Sequence, residues 1–238
     1  MKYVGSKRRI AKDIIPIMLK DYKDGTTFYD LFSGGCNLID KIPNHIPRVA
    51  NDINKYVIAL FKELQKDDFV FPEHIGEEKY KHIQQNKEQY PNWLVGYVGF
   101  NLSFAAKFFG GYRRDKAGVR NYENEAQQNL KAQQNLIKDI TFYNLNYDEV
   151  PLQNNSILYL DIPYKNSTGY SNKQKFDYDK FYKWCIDKHK EGHKVFISEY
   201  SMPENFECVW QKEITSSLTK DTGAKKGVEK LWVVKEEE

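Results

Sequence analysis

The stretch from Phe28 to Asp52 limits the fold more than any other part of the chain. Residues 26–32 are a short β-branched and aromatic run that stops at Ser33-Gly34-Gly35, and residues 38–42 then open a helical pattern. Residues 48–51 read as a second short strand ending in Asp52, after which Val57, Ile58, Leu60, Phe61 and Leu64 mark one helical face. Strand, glycine turn and helix, followed by another strand and helix, predict a βαβ arrangement and a parallel sheet. Paired glycines at a strand end let bare backbone approach a ligand at the carboxyl edge of such a sheet. Asp52, about twenty residues further on, stands where an acid grips the two hydroxyls of a ribose. That geometry suits a nucleoside cofactor without naming one. The full Gly-x-Gly-x-x-Gly pattern is absent, and two-glycine turns also occur where nothing binds.

The same texture returns later, with strands expected at residues 140–144, 157–160, 195–198 and 231–234 and a helix across 178–189. A further helix is expected at residues 10–19. Between these parts, residues 67–134 are charged, glutamine-rich and aromatic, with no clear strand. They read as a helical insertion that divides one α/β domain into residues 1–66 and 135–238. Within the insertion Trp93, Tyr97, Phe100, Phe104 and Phe108 recur at helical steps, which predicts one mainly core-facing stripe ending at Gly110-Gly111.

Overall charge says little, since 36 basic residues face 33 acidic ones for a net +3. Its distribution says more. Lys107, Arg113, Arg114, Lys116 and Arg120 share a segment with a single acid, Asp115, interleaved with Phe108, Phe109 and Tyr112. Such a segment suits phosphates and unstacked bases, although a solvated loop with aromatic anchors has the same composition. The three cysteines are odd in number and widely spaced, which argues against a disulfide framework or a Cys-x-x-Cys metal site and fits a reducing cytoplasm. No run approaches the roughly 18 apolar residues of a membrane span, so a soluble, cytoplasmic protein is expected. His189 and His193 do not form His-Glu-x-x-His, and no metal is expected. Asp177 and Asp179 precede a helix and read as caps. Asp148 is a weak further candidate for contact with a cofactor.

Directly after the strand at 157–160 comes Asp161-Ile162-Pro163-Tyr164. An acid, a proline-stiffened backbone and an aromatic ring leave a strand end together, the place from which α/β enzymes act. Alone, the tetrapeptide could equally be a strand-ending turn.

Together these sites resemble the DNA adenine-N6 methyltransferases whose signature is Asp-Pro-Pro-Tyr after a glycine-bearing cofactor motif. Tyr3-Val4-Gly5-Ser6-Lys7 is similar to the family's N-terminal motif, residues 30–35 to its cofactor loop, and Asn51-Asp52-Ile53-Asn54 to its ribose motif. Residues 100–112 resemble a segment beside the recognition region of phage-type members; Ser198-Glu199-Tyr200 and Glu229-Lys230-Leu231 resemble later landmarks. The resemblance implies a Rossmann-like S-adenosylmethionine-dependent methyltransferase fold with a mainly helical DNA-recognition insertion, bacterial or phage-encoded. It implies that Tyr3, Lys7, Asp30, Phe32, Ser33, Gly34, Gly35 and Asp52 hold S-adenosylmethionine, with Asp161 facing both cofactor and substrate. Asp161, Ile162, Pro163 and Tyr164 would present a flipped adenine. Lys107, Arg113, Arg114, Lys116 and Arg120 would meet double-stranded DNA, and a restriction endonuclease is a possible counterpart.

The departure is Ile162, which replaces the first proline of the signature. The position is expected to act through its carbonyl, which isoleucine also has, so an active enzyme is expected. The rival readings are a catalytically inactive DNA-binding relative, a methyltransferase acting on RNA or protein, and a nucleotide-dependent oxidoreductase, which would leave residues 161–164 without a task. Target sequence and oligomeric state are not legible from spacing.

Overall fold

Alternating large apolar side chains build the centre of the molecule. The computed structural model describes residues 1–115, 117–164, 176–215 and 226–236. Within them, β1 (Phe28–Asp30), β2 (Arg48–Asn51), β3 (Ile140–Tyr143), β4 (Ile157–Asp161) and β5 (Lys194–Ser198) are parallel neighbours in the order β3-β2-β1-β4-β5. The hairpin β6 (Phe206–Thr215) and β7 (Lys226–Val234) completes the described sheet, with β7 antiparallel to both β5 and β6. This is the Rossmann order on one side of β1 and β4, closed on the other by an antiparallel ribbon.

Both faces of the central strands are covered, as parallel sheets require. Ile157 and Tyr159 of β4 point into the core beneath α1 (Ala11–Met18) and α2 (Lys55–Leu64). Leu158 and Leu160 point the other way, onto Phe181 and Cys185 of α6 (Tyr178–Lys190). A fully buried side chain of this size stabilises by about 1.5–3 kcal/mol, so the strand ends that carry the site rest on a firm floor. Asn51 ties three strand ends together: its amide nitrogen donates to Leu31 O and Leu145 O, and its amide oxygen accepts from Leu145 N. Asn54 and Asp177 cap α2 and α6 through their side-chain oxygens. None of the described helices is long and apolar enough to cross a membrane.

Between β2 and β3 the described chain forms α2, α3 (Glu77–Gln85), α4 (Asn92–Gly96) and α5 (Tyr122–Gln134), with short helical turns and one isolated bridge, Ser103 to Tyr112. Two sequence expectations fail, and one strand was not anticipated. The aromatic stripe from Trp93 to Phe108 does not lie on one helix. After α4 the chain widens into a π-turn at Tyr97–Asn101 and leaves the helix at Leu102. Gly96 and Gly99 weaken the helix there, and Gly99 O is taken by the Ser103 hydroxyl at 2.7 Å and Phe109 N at 2.8 Å. Phe104, assigned to the core stripe, is instead 67% exposed. The helix expected at 38–42 is one 3₁₀ turn, Ile39–Lys41, because the glycine loop and Cys36, at φ +54°, use up the connection to β2. Finally, β6 had no sequence signal: Glu207, Gln211, Lys212 and Glu213 break its apolar pattern, as suits the edge it occupies.

Candidate active site

The strand order reverses between β1 and β4, and ligands of open α/β sheets bind outside the carboxyl ends at such a point. Asp30 ends β1 there and Asp161 ends β4. The 3₁₀ turn Lys7–Arg9 brings Lys7 against them, and Glu229 reaches in from β7.

Lys7 organises this cluster. Its ammonium lies 2.7 Å from Asp161 Oδ1 and 3.8 Å from Glu229 Oε2, donates to Gly5 O at 3.3 Å, and sits 4.7 Å from the centre of the Tyr164 ring. The Tyr164 hydroxyl donates to Glu229 Oε2 at 2.7 Å, and the ring meets Tyr200 edge-on. Tyr164 is therefore held on several sides rather than standing free for a base. Burial alone would lower the Lys7 pKa, but Asp161 and Glu229 outweigh it and the ammonium is held above its ordinary value. Burial raises the Asp161 pKa; Lys7 opposes the shift without cancelling it. Ile162 is 2% exposed, its side chain part of the core with Leu160 and Phe181. The Pro163 carbonyl accepts from the Tyr178 hydroxyl at 2.8 Å.

The glycine turn forms a second, adjoining region. Asp52 closes it: Oδ2 accepts from Gly34 N at 2.9 Å and Oδ1 from Asn54 N at 2.8 Å, so the acid braces the loop as well as facing its edge. A Cβ added to Gly35 would lie 2.6 Å from Tyr3 Cβ, and one on Gly34 2.5 Å from the Tyr3 ring. Only glycine admits that packing. Tyr3 in turn meets Phe100, which meets Phe108, so residues 100–108 pack against the side chain that covers the glycine loop. Phe32 turns away into an aromatic cluster, stacked on Tyr147 with centroids 5.5 Å apart and edge-on to Phe181. Asp148, the weak candidate, pairs with Lys180 at 2.6 Å.

Asp30 Oδ1 and Ser33 Oγ are buried with no hydrogen-bond partner among the described residues. Buried acceptors and donors are rarely left so without a reason. Burial, with Asp161 next, pushes Asp30 well above the usual carboxylate range. Orphaned polar atoms beside a glycine turn fit the polar head of a ligand seated on the loop.

The basic segment is less uniformly positive than its composition suggests. Arg114 forms a two-pronged pair with Glu77, Arg120 does the same with Glu125, and the Arg113 guanidinium lies 3.7 Å from the centre of the Tyr122 ring. Lys107 is exposed, and Lys116 lies outside the described residues. Arg113, Arg114 and Arg120, with His74, Tyr112 and Tyr122, line an open cavity of about 450 Å³. Two residues that were not expected as site residues stand out. Glu229 was read only as a landmark, and nothing in its spacing points to Tyr164. Phe104 projects from a turn in which Ala105, Ala106 and Phe109 all have positive φ, a concentration of strain typical of functional loops.

A family model described as D12 class N6 adenine-specific DNA methyltransferase matches residues 3–229. Modification methylase StsI of Streptococcus sanguinis is 24% identical over 200 residues, covering 74% of this chain and 30% of that protein, so the chain spans about a third of the relative's length. Two solved structures overlap loosely, each at a TM-score of 0.39. One is a Haemophilus influenzae protein described as a methylase, 12% identical, covering 96% of this chain and 99% of that one. The other, described as a methyltransferase complexed with SAH, is 13% identical and covers 98% of this chain and 54% of that one.

Proposed function

Because the chain belongs to the D12 class N6 adenine-specific DNA methyltransferases, we propose that it transfers a methyl group from S-adenosylmethionine to the N6 amine of adenine in double-stranded DNA. The observation that carries this reading is the meeting of Asp161 and the glycine loop at the switch point of the sheet, beside buried polar atoms that lack partners. Residues 67–134 act as the recognition insertion and the remainder as the catalytic domain. Tyr3, Asp30, Ser33, Gly34, Gly35 and Asp52 hold the cofactor, Phe32 being packed away among Tyr147 and Phe181, and Lys7 serves the site through Asp161. When bound, S-adenosylmethionine supplies an electrophilic methyl group on a sulfonium sulfur.

The amine of adenine is a poor nucleophile because its lone pair is delocalised into the ring. Asp161 and the Ile162 carbonyl accept its two hydrogens, which draws the nitrogen toward a tetrahedral shape able to attack. The proton becomes acidic only as the new N–C bond forms, so Asp161 holds it in place rather than removing it beforehand. The base must leave the duplex to reach this point, and Tyr164, fixed by Glu229 and Tyr200, gives it a rigid wall. The name of the Streptococcus relative supports reading this chain as the modifying partner of a restriction endonuclease.

Incubation with labelled S-adenosylmethionine and unmethylated plasmid DNA tests the reading, and no N6-methyladenine on any duplex overturns it. Lys107, Arg113, Arg114, Lys116 and Arg120 form the DNA-facing side, with exposed Phe104 beside them as an apolar wedge. Replacing Arg113 and Arg114 together with alanine is expected to weaken DNA binding and reduce the slope of log K against log salt by about 1–2. An unchanged slope in a salt titration removes both from the interface.

A further inference from the structure

Glu229 is buried on β7 and takes part in two contacts that differ in kind. It accepts a hydrogen bond from the Tyr164 hydroxyl at 2.7 Å, and it stands 3.8 Å from the Lys7 ammonium that pairs with Asp161 at 2.7 Å. One buried cation therefore faces two carboxylates, close to one and a little short of contact with the other. The pairing with Asp161 opposes the proposed chemistry. A carboxylate draws charge from an amine only while its own charge is uncompensated, and an ammonium in contact compensates it. Yet a buried ammonium cannot simply be left without an anion. Glu229 removes that difficulty, because a displacement of about one ångström carries the ammonium to a full ion pair without exposing it.

Resting on the methyltransferase reading, the geometry points to Glu229 as a positioning residue that receives the Lys7 ammonium when the target amine arrives at Asp161. Lys7 is then a counter-ion with two seats. It favours the ionised form of Asp161 while the site is empty and gives up that carboxylate when substrate takes its place. Tyr164 is fixed to the second seat, so closure of the base against the ring and transfer of the lysine are one movement.

Glu229→Gln keeps an acceptor for Tyr164 and removes only the charge. Single-turnover transfer to unmethylated plasmid DNA is expected to slow at least about tenfold in this variant, with cofactor and DNA affinities nearly unchanged. In a Lys7→Met background the same substitution is expected to cost no more than about twofold, since Glu229 acts through Lys7. Glu229→Asp, which retains the charge, is expected to recover part of the rate. In the protein without cofactor or DNA, the NMR signal of the Lys7 ammonium is expected to move on Glu229→Gln. A Gln variant that methylates at the normal rate, an equal penalty with and without Lys7, or an unmoved ammonium signal overturns the inference while leaving the methyltransferase reading intact. A wild-type chain that forms no N6-methyladenine overturns both.

Discussion

Replacing Asp161 with asparagine is expected to slow N6-methyladenine formation by about a hundred- to a thousandfold, with DNA affinity changed by less than about threefold. Asparagine keeps the shape of the side chain and an acceptor oxygen but loses the charge that polarises the amine. Its other end is an amide donor, which repels the hydrogens that Asp161 accepts. Lys7 keeps Glu229 as a counter-ion, so the fold survives, and a thermal melt run beside the assay checks this. The wild-type rate should also show an acid limb. Burial raises the Asp161 pKa, and only the ionised form assists transfer, so activity is full above that raised value and is lost as pH falls through it. The limb therefore lies at higher pH than an ordinary carboxylate would give. A variant retaining near-native rates under single-turnover conditions shows that the catalytic acid is elsewhere.

How much of this site could be read from the chain depends on the range of the interaction concerned. The strands β1 and β4 announced themselves as short, mainly apolar runs that end in an acid, and β2 as a short run bounded by Asp52 even though it buries Arg48 and Asn51. Asp30, Asp52 and Asp161 follow directly, since each ends or immediately follows such a run. The aromatic stripe misled because its spacing is helical, whereas Gly96 and Gly99 weaken the helix and let other parts of the chain approach its backbone closely. A Cβ on Gly96 would lie 2.2 Å from Tyr56 O, a contact made by a distant part of the chain. The pairing of Arg114 with Glu77 and of Arg120 with Glu125 was equally hidden, because composition counts charges without showing which are already partnered. Glu229 lies furthest from any sequence signal. It is brought to Tyr164 and Lys7 only by a strand that runs antiparallel to β5. Ile162 is a middle case. Its carbonyl was the feature weighed, whereas the structure shows why the side chain is apolar: it fills the core under the site, where proline would fill less.

The second large effect concerns Asp30 and the proton it carries. In the free protein its carboxyl is 2% exposed, one oxygen lacks a partner, and burial followed by the charge of Asp161 holds its pKa well above the usual range. A cofactor whose amino-acid ammonium reached Asp30 would give it a contacting cation in addition to the more distant Lys7, which favours the ionised form. Binding must then release a proton wherever Asp30 is neutral beforehand. The sign follows from linkage: between the ordinary carboxylate value and the raised one, cofactor affinity increases with pH, and above the raised value it levels off. Asp30→Asn is expected to weaken S-adenosylmethionine binding by about a hundredfold, the cost of leaving a buried ammonium without its anion, and to remove the pH dependence. Calorimetry in two buffers of different ionisation enthalpy measures both quantities at once. If the wild type releases no proton and the Asn variant binds as tightly, Asp30 does not contact the cofactor's charged head, and its buried carboxyl serves only the packing between β1 and β4.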